Sequence, residues 1–73
     1  MTLADLQRGE RARVVSLDPA NPNAAHLATL GLVPGREVTM LRRAPLGDPL
    51  HISLMQHEMC LRTIDARSVI VES

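Results

Sequence analysis

The stretch that decides the fold is Leu30-Gly31-Leu32-Val33-Pro34-Gly35, because it ends one element, turns a corner and starts another. The residues before it, 23–30, predict a two-turn helix whose first amides are capped by Asn23. Gly31 lies where a left-handed residue commonly ends a helix. Leu32 follows where that closing motif places an apolar residue against the last turn. The stretch therefore predicts a helix that stops sharply at a corner.

The corner leads into a chain of short strands. Pro34-Gly35 supplies the fixed φ and the positive φ of a type II turn. Apolar and polar residues then alternate in several segments, and each segment predicts a strand with one buried face. The predicted strands are residues 10–17, 36–43, 50–55, a run from about 58 to 62, and 69–71. Helical turns are expected at residues 3–6 and 63–67, and turn-forming residues fill 18–23 and 45–49.

The third and fourth strands predict a hairpin. Matching their apolar faces places Leu54 opposite Met59 and Ile52 opposite Leu61, which leaves Gln56-His57 as a two-residue loop. Such loops favour positive φ, and neither loop residue is ideal for it, so we expect local strain or a looser loop. Replacing Gln56 with glycine should then stabilise the fold.

Composition limits the class of protein. The 73 residues predict one domain, 1–73, and 45% apolar residues without any aromatic one predict a core of aliphatic side chains. Eight basic and eight acidic residues balance, which argues against a strong nucleic-acid binder. A single cysteine, no secretory signal pattern and no apolar run of membrane-spanning length predict a soluble, cytoplasmic protein without membrane insertion. We expect an all-β fold: a small SH3-like barrel of about five strands with one short helix.

Motifs spread over the whole chain carry a family resemblance. They are Leu3-x-x-Leu6-x-x-Gly9, the corner at 30–35, Val38, Pro45-x-Gly47-Asp48-Pro49, Leu61-Arg62, Ala66 and Val69-x-Val71. This pattern resembles FeoA, the small cytoplasmic accessory protein of the bacterial ferrous-iron transporter FeoB. It is also similar to the SH3-like C-terminal domain of iron-dependent repressors of the diphtheria-toxin-repressor type. The resemblance implies an SH3-like barrel and a role in ferrous-iron uptake through contact with the cytoplasmic portion of FeoB.

Metal binding and catalysis find little support in the residues. The histidines lack short helical ligand spacing, and Cys60 has no second cysteine beside it in the sequence. The predicted register sets His51 opposite Arg62, whose charge disfavours a bound cation, and Cys60 opposite Ser53. The chain has no glycine-rich phosphate loop, no nucleophile elbow and no usefully spaced pair of carboxylates. We therefore expect no metal site, no cofactor, no catalytic residue and no enzymatic activity.

The predicted activity is protein binding at the corner. The candidate partner contacts are Leu30, Leu32, Val33 and Pro34. The alternative for Leu30, Leu32 and Val33 is burial in the core, and for Leu30 burial is the favoured alternative. Two other functions stay open: a regulatory barrel that binds nucleic acid or a repressor segment, and a weak transition-metal-binding iron chaperone. Without aromatic residues for stacking on bases, we expect no nucleic-acid binding. Self-association of the barrel is also left open.

Overall fold

The computed structural model describes residues 1–73, and its elements follow the predicted order. They are a 3₁₀ turn (Leu3–Asp5), β1 (Arg11–Leu17), α1 (Ala24–Thr29), β2 (Glu37–Arg43), β3 (Leu50–Leu54), β4 (His57–Leu61), α2 (Thr63–Ala66) and β5 (Val69–Glu72). No helix has the length and apolar character needed to cross a lipid bilayer.

The strands form one antiparallel sheet in the order β4-β3-β2-β1-β5. The register shifts after Val14 in β1 and after Met40 in β2, and such bulges sharpen the bend of a sheet. The first residues of the chain cover the outer side of β5, where the Val71 N–H donates to the Met1 carbonyl at 3.0 Å. β4 pairs with β3 alone. The sheet therefore curves around its core as a closed sheet would. Its hydrogen bonding does not close into a ring, because β4 has a partner strand on one side only.

One cluster of buried aliphatic side chains fills the inside of the sheet, as the alternation predicted. Its fifteen members are Leu3, Leu6, Ala12, Val14, Leu27, Leu32, Val38, Met40, Leu50, Ile52, Leu54, Leu61, Ala66, Val69 and Val71. Every strand contributes at least one residue to this cluster, and so does each helix and the 3₁₀ turn. The chain thus forms a single core, which a protein of this size requires for stability.

The corner has the predicted geometry. Gly31 adopts a φ of +108°, and the Leu32 N–H donates to the Leu27 carbonyl at 3.2 Å, which closes the end of α1. At the following turn the Arg36 N–H donates to the Val33 carbonyl at 3.2 Å. The predicted cap at the start of α1 is wrong, because no backbone amide of the helix donates to the Asn23 side chain.

The predicted register of the β3–β4 hairpin is also wrong. Leu54 lies opposite His57 and Ile52 opposite Met59, two residues away from the predicted pairing. The loop is Met55-Gln56, with φ values of +54° and +67°. A shift of two residues keeps every side chain on its predicted face, so matching faces could not detect it. The expected strain is present, since two residues other than glycine have positive φ.

Candidate functional site

An apolar surface lies where the corner meets the β3–β4 loop. We call it the corner surface and define it by Leu30, Val33, Pro34, Arg36 and Met55. Leu30 is 39% exposed and Met55 is 55% exposed, while Pro34 is exposed and Val33 is half-buried. Leu30 directly precedes Gly31, whose backbone lies beside Met55, so both exposed apolar residues flank one contact, and exposed apolar residues at such a place are typical of a protein-binding surface.

The packing of Gly31 brings the two halves of the corner surface together. A Cβ atom on Gly31 would lie 3.2 Å from Leu54 Cδ2 and 3.5 Å from Met55 Sδ. The backbone of the corner therefore lies directly against the end of the hairpin. A glycine is needed here both for its positive φ and for this close approach.

Leu32 does not belong to the surface. It is 0% exposed, so its predicted contact with a partner is wrong. The same closing motif that was recognised in the sequence turns Leu32 inward over the last turn of α1. Leu30, by contrast, is exposed where burial in the core was favoured. The contact role of Leu30, Val33 and Pro34 stays a prediction.

Sequence reasoning missed two members of the corner surface. The sequence places Met55 at the end of the third predicted strand and Arg36 at the start of the second, and nothing in it relates the two residues. In the structure the guanidinium of Arg36 contacts the sulfur of Met55. Arg36 takes part in none of the salt bridges of the chain. The end of the helix already explains a glycine at position 31, so the sequence carries no signal for this contact.

A buried carboxylate holds the start of α1 close to α2. Asp65 is only 4% exposed and accepts hydrogen bonds from Asn21 Nδ2 at 3.1 Å, Arg62 Nε at 3.1 Å and Asn23 Nδ2 at 3.5 Å. The hydrogen bond from Asn21 lowers the pKa of Asp65, and Arg62 and Asn23 add to this effect, which exceeds the opposing effect of burial. Sequence reasoning missed this network, because two of its three donors, Asn21 and Asn23, lie 44 and 42 residues away along the chain.

The surroundings of His51 differ from the predicted ones. Cys60, not Arg62, lies opposite His51 in the hairpin, and Glu58, not Cys60, lies opposite Ser53. His51 Nε2 is 3.0 Å from Glu58 Oε1, and an arginine does lie beside it, but this is Arg42 of β2. No three histidine, cysteine or acidic side chains are grouped so that they could hold a metal ion. That the chain has no specific metal site stays a prediction.

Comparison with known proteins identifies the family. The FeoA domain model matches residues 1–73. A curated relative, the Fe(2+) transport protein A/Fe(2+) transporter FeoB fusion protein of Porphyromonas gingivalis, is 31% identical over 72 residues. The match covers 99% of this chain and 8% of the fusion protein, so the chain spans a small part of that relative's length.

Solved structures confirm the predicted fold. The crystal structure of FeoA from Stenotrophomonas maltophilia, an SH3 domain protein complexed with zinc, superposes with a TM-score of 0.85 at 34% identity, covering 99% of this chain and 89% of that one. A manganese-dependent transcriptional repressor shares the fold alone, with a TM-score of 0.88 at 18% identity over 100% of this chain and 41% of its own. With its barrel geometry and a family match from the first residue to the last, the chain belongs to the FeoA family.

Proposed function

We propose that the chain is a non-enzymatic accessory protein of bacterial ferrous-iron uptake that docks on the cytoplasmic part of a FeoB-type transporter. The observation that carries this proposal is the Porphyromonas gingivalis relative, in which Fe(2+) transport protein A and FeoB are fused in one polypeptide. Fusion holds two domains at high effective concentration, so it suits domains that act on one another. A separate chain needs a binding surface to achieve the same proximity.

The corner surface is the proposed contact. Leu30 and Met55 provide exposed apolar area, and Arg36 provides a positive charge at its edge. Apolar residues that lose water in the centre of an interface, with charged groups around them, are the usual arrangement in protein complexes. We expect the transporter to present an apolar side chain next to a carboxylate, since Arg36 forms no salt bridge within the chain.

A matched pair of leucine substitutions tests the proposal. Leu30→Asp places a charge in the corner surface, and Leu46→Asp places the same charge on a leucine that is 96% exposed in the β2–β3 loop. Binding of each purified variant to the cytoplasmic portion of the FeoB transporter of the same organism is measured by calorimetry. Fe²⁺ uptake is measured in cells that lack the wild-type gene for the chain.

We expect Leu30→Asp to weaken binding at least about tenfold, the size of effect that loss of a central interface residue causes. Uptake should fall with it, while Leu46→Asp retains both activities. Equal binding and uptake by the two folded variants would refute docking at the corner surface. No binding by the wild-type chain itself would refute docking altogether.

The two alternative functions predict different results with the same protein. A nucleic-acid-binding barrel would bind DNA or RNA with an affinity that falls steeply as salt is added. An iron carrier would bind Fe²⁺ tightly and stoichiometrically and would lose that binding in His51→Ala. We expect neither result.

A further inference from the structure

The open edge of β4 is the second surface of this molecule that lacks a partner. We propose that two copies of the chain pair antiparallel through β4, centred on Cys60, so that Glu58 of each copy lies opposite Arg62 of the other. This pairing is proposed independently of docking to a transporter, although Leu30 of the corner surface also lines the groove beside β4. It uses the chain alone and can be tested with the chain alone.

The hydrogen-bond pattern of the hairpin leaves this edge unsatisfied. The loop has two residues, so Leu54 and His57 at its ends form a hydrogen-bonded pair. Pairs alternate along an antiparallel ladder, so the N–H and C=O groups of Glu58 and Cys60 point away from β3. Exposed strand edges with unpaired backbone groups are templates for another strand. The opposite edge of the sheet, β5, is covered by the first residues of the chain.

A groove runs beside the end of this edge. A groove of about 370 Å³ separates α1 from the end of β4. His26 and Leu30 line it on the helix side, and Cys60 and Arg62 line it on the strand side. No backbone hydrogen bond joins the helix to β4, so the groups that point away from β3 are not paired with α1.

Charge complementarity selects a second copy as the occupant. In a two-fold pairing centred on Cys60, Glu58 faces Arg62 of the second copy at both ends, and Met59 faces Leu61 of the second copy on the apolar side. Opposite charges directly across an antiparallel pair are stabilising and like charges are destabilising. Centring the pairing on Met59 would instead set Glu58 opposite Cys60 and leave both charges without this partner.

Both charged side chains are exposed. The carboxylate of Glu58 lies 4.0 Å from the guanidinium of Arg42 and 3.0 Å from His51, so pairing requires it to turn from these two partners toward the edge. The Nε of Arg62 donates to Asp65 at 3.1 Å, which holds the side chain in place. Its two terminal nitrogens make no hydrogen bond within the chain and remain for a carboxylate of the second copy.

Cross-linking at Cys60 measures the pairing. An edge-to-edge contact of a few residues is smaller than the interface of a stable dimer, so we expect a weak dimer in rapid exchange. In the proposed register the two Cys60 residues form a hydrogen-bonded pair with Cα atoms about 5.5 Å apart. A short bifunctional thiol reagent then joins them, and the covalent dimer is quantified by mass spectrometry.

Charge reversal distinguishes this register from random collision. Glu58→Arg or Arg62→Glu alone places like charges at both ends of the pair, and we expect about tenfold less covalent dimer. Mixing the two variants restores opposite charges at both ends, so heterodimer should be the main product. Arg67→Glu, which changes net charge by the same amount on an exposed residue just beyond α2, should cross-link like the wild type.

Three results would overturn the proposal. One is a statistical 1:2:1 distribution of dimers in the mixture. Another is undiminished cross-linking of Glu58→Arg. The third is equal cross-linking of a Cys60→Ser, Ser16→Cys variant, whose cysteine is exposed on β1 away from this edge. If circular dichroism shows that Arg62→Glu does not fold, Arg62→Gln takes its place in the mixture. That mixture should still favour heterodimer, since only the Glu58→Arg homodimer would bring arginines together.

Discussion

Gly31→Ala is a substitution to which we expect the fold to be sensitive. Gly31 has a φ of +108°, and an added Cβ would lie 3.2 Å from Leu54 Cδ2. Gly35, in the same corner, has a φ of +92°, and an added Cβ there would find no atom within 4 Å. Comparing the two alanine variants therefore separates the cost of the contact from the cost of the backbone conformation.

The expected magnitudes follow from this difference. An alanine pays about 1–2 kcal/mol to adopt a left-handed backbone conformation. Replacing glycine with alanine also lowers the conformational entropy of the unfolded chain, which offsets roughly 0.4–1 kcal/mol of this cost. Gly35→Ala should thus destabilise the protein by about 1 kcal/mol. Gly31→Ala adds a contact with a buried leucine, and crowding of a packed core costs about 1–3 kcal/mol more. Its total of about 2–4 kcal/mol is a large fraction of the stability of so small a domain.

Urea unfolding followed by far-ultraviolet circular dichroism measures both variants, because the chain has no aromatic residue for fluorescence. The free energies of unfolding of the two variants should differ by at least about 1 kcal/mol. Equal losses of unfolding free energy in the two variants would show that the Leu54 side chain moves aside without an energetic cost. The corner would then not be held against the hairpin by close packing, and the corner surface would have no fixed shape.

Three further predictions concern the hairpin, the buried carboxylate and the two leucines. Gln56→Gly should raise the free energy of unfolding in urea by about 1 kcal/mol, because Gln56 holds a φ of +67°; a decrease would contradict the observed loop. The pKa of Asp65 lies below its ordinary value in the folded protein, so the unfolded chain takes up this proton first. The stabilisation that ionised Asp65 gives the folded protein should be complete above the unfolded pKa of about 3.9 and be lost as the pH falls through the lower folded pKa. In the Asp65→Asn variant, the free energy of unfolding should change less over this pH range in an acid-unfolding experiment. Leu32→Ala should lower the free energy of unfolding by about 2–5 kcal/mol, because Leu32 is buried. Leu30→Ala should lower it by less than about 1 kcal/mol, because Leu30 is exposed. Equal losses in thermal or urea unfolding would contradict this difference in burial.

Much of the fold could be predicted from the sequence, because local conformational preferences determine it. Gly31 and the Pro34-Gly35 pair each require a particular backbone conformation, so the end of α1 and the turn after it could be predicted residue by residue. Alternation along the strands identified the inward-facing residues, because a side chain on the wrong face would expose the core. The same motifs led to the family, and the family to the barrel.

Contacts between distant segments account for what could not be predicted. The β3–β4 register moved by two residues, a shift that leaves every side chain on the same face and therefore costs nothing in burial pattern. Asp65 receives two of its hydrogen bonds from Asn21 and Asn23, on a loop whose turn-forming residues do not indicate which segment it contacts. Leu30 and Leu32, two residues apart, separated into an exposed and a buried side chain once Gly31 set the direction of the chain. The alternation of apolar and polar residues distinguishes the two faces of a strand. The strand register, the hydrogen bonds of Asp65 and the exposure of Leu30 depend instead on which segment packs alongside, and only the folded molecule determines that.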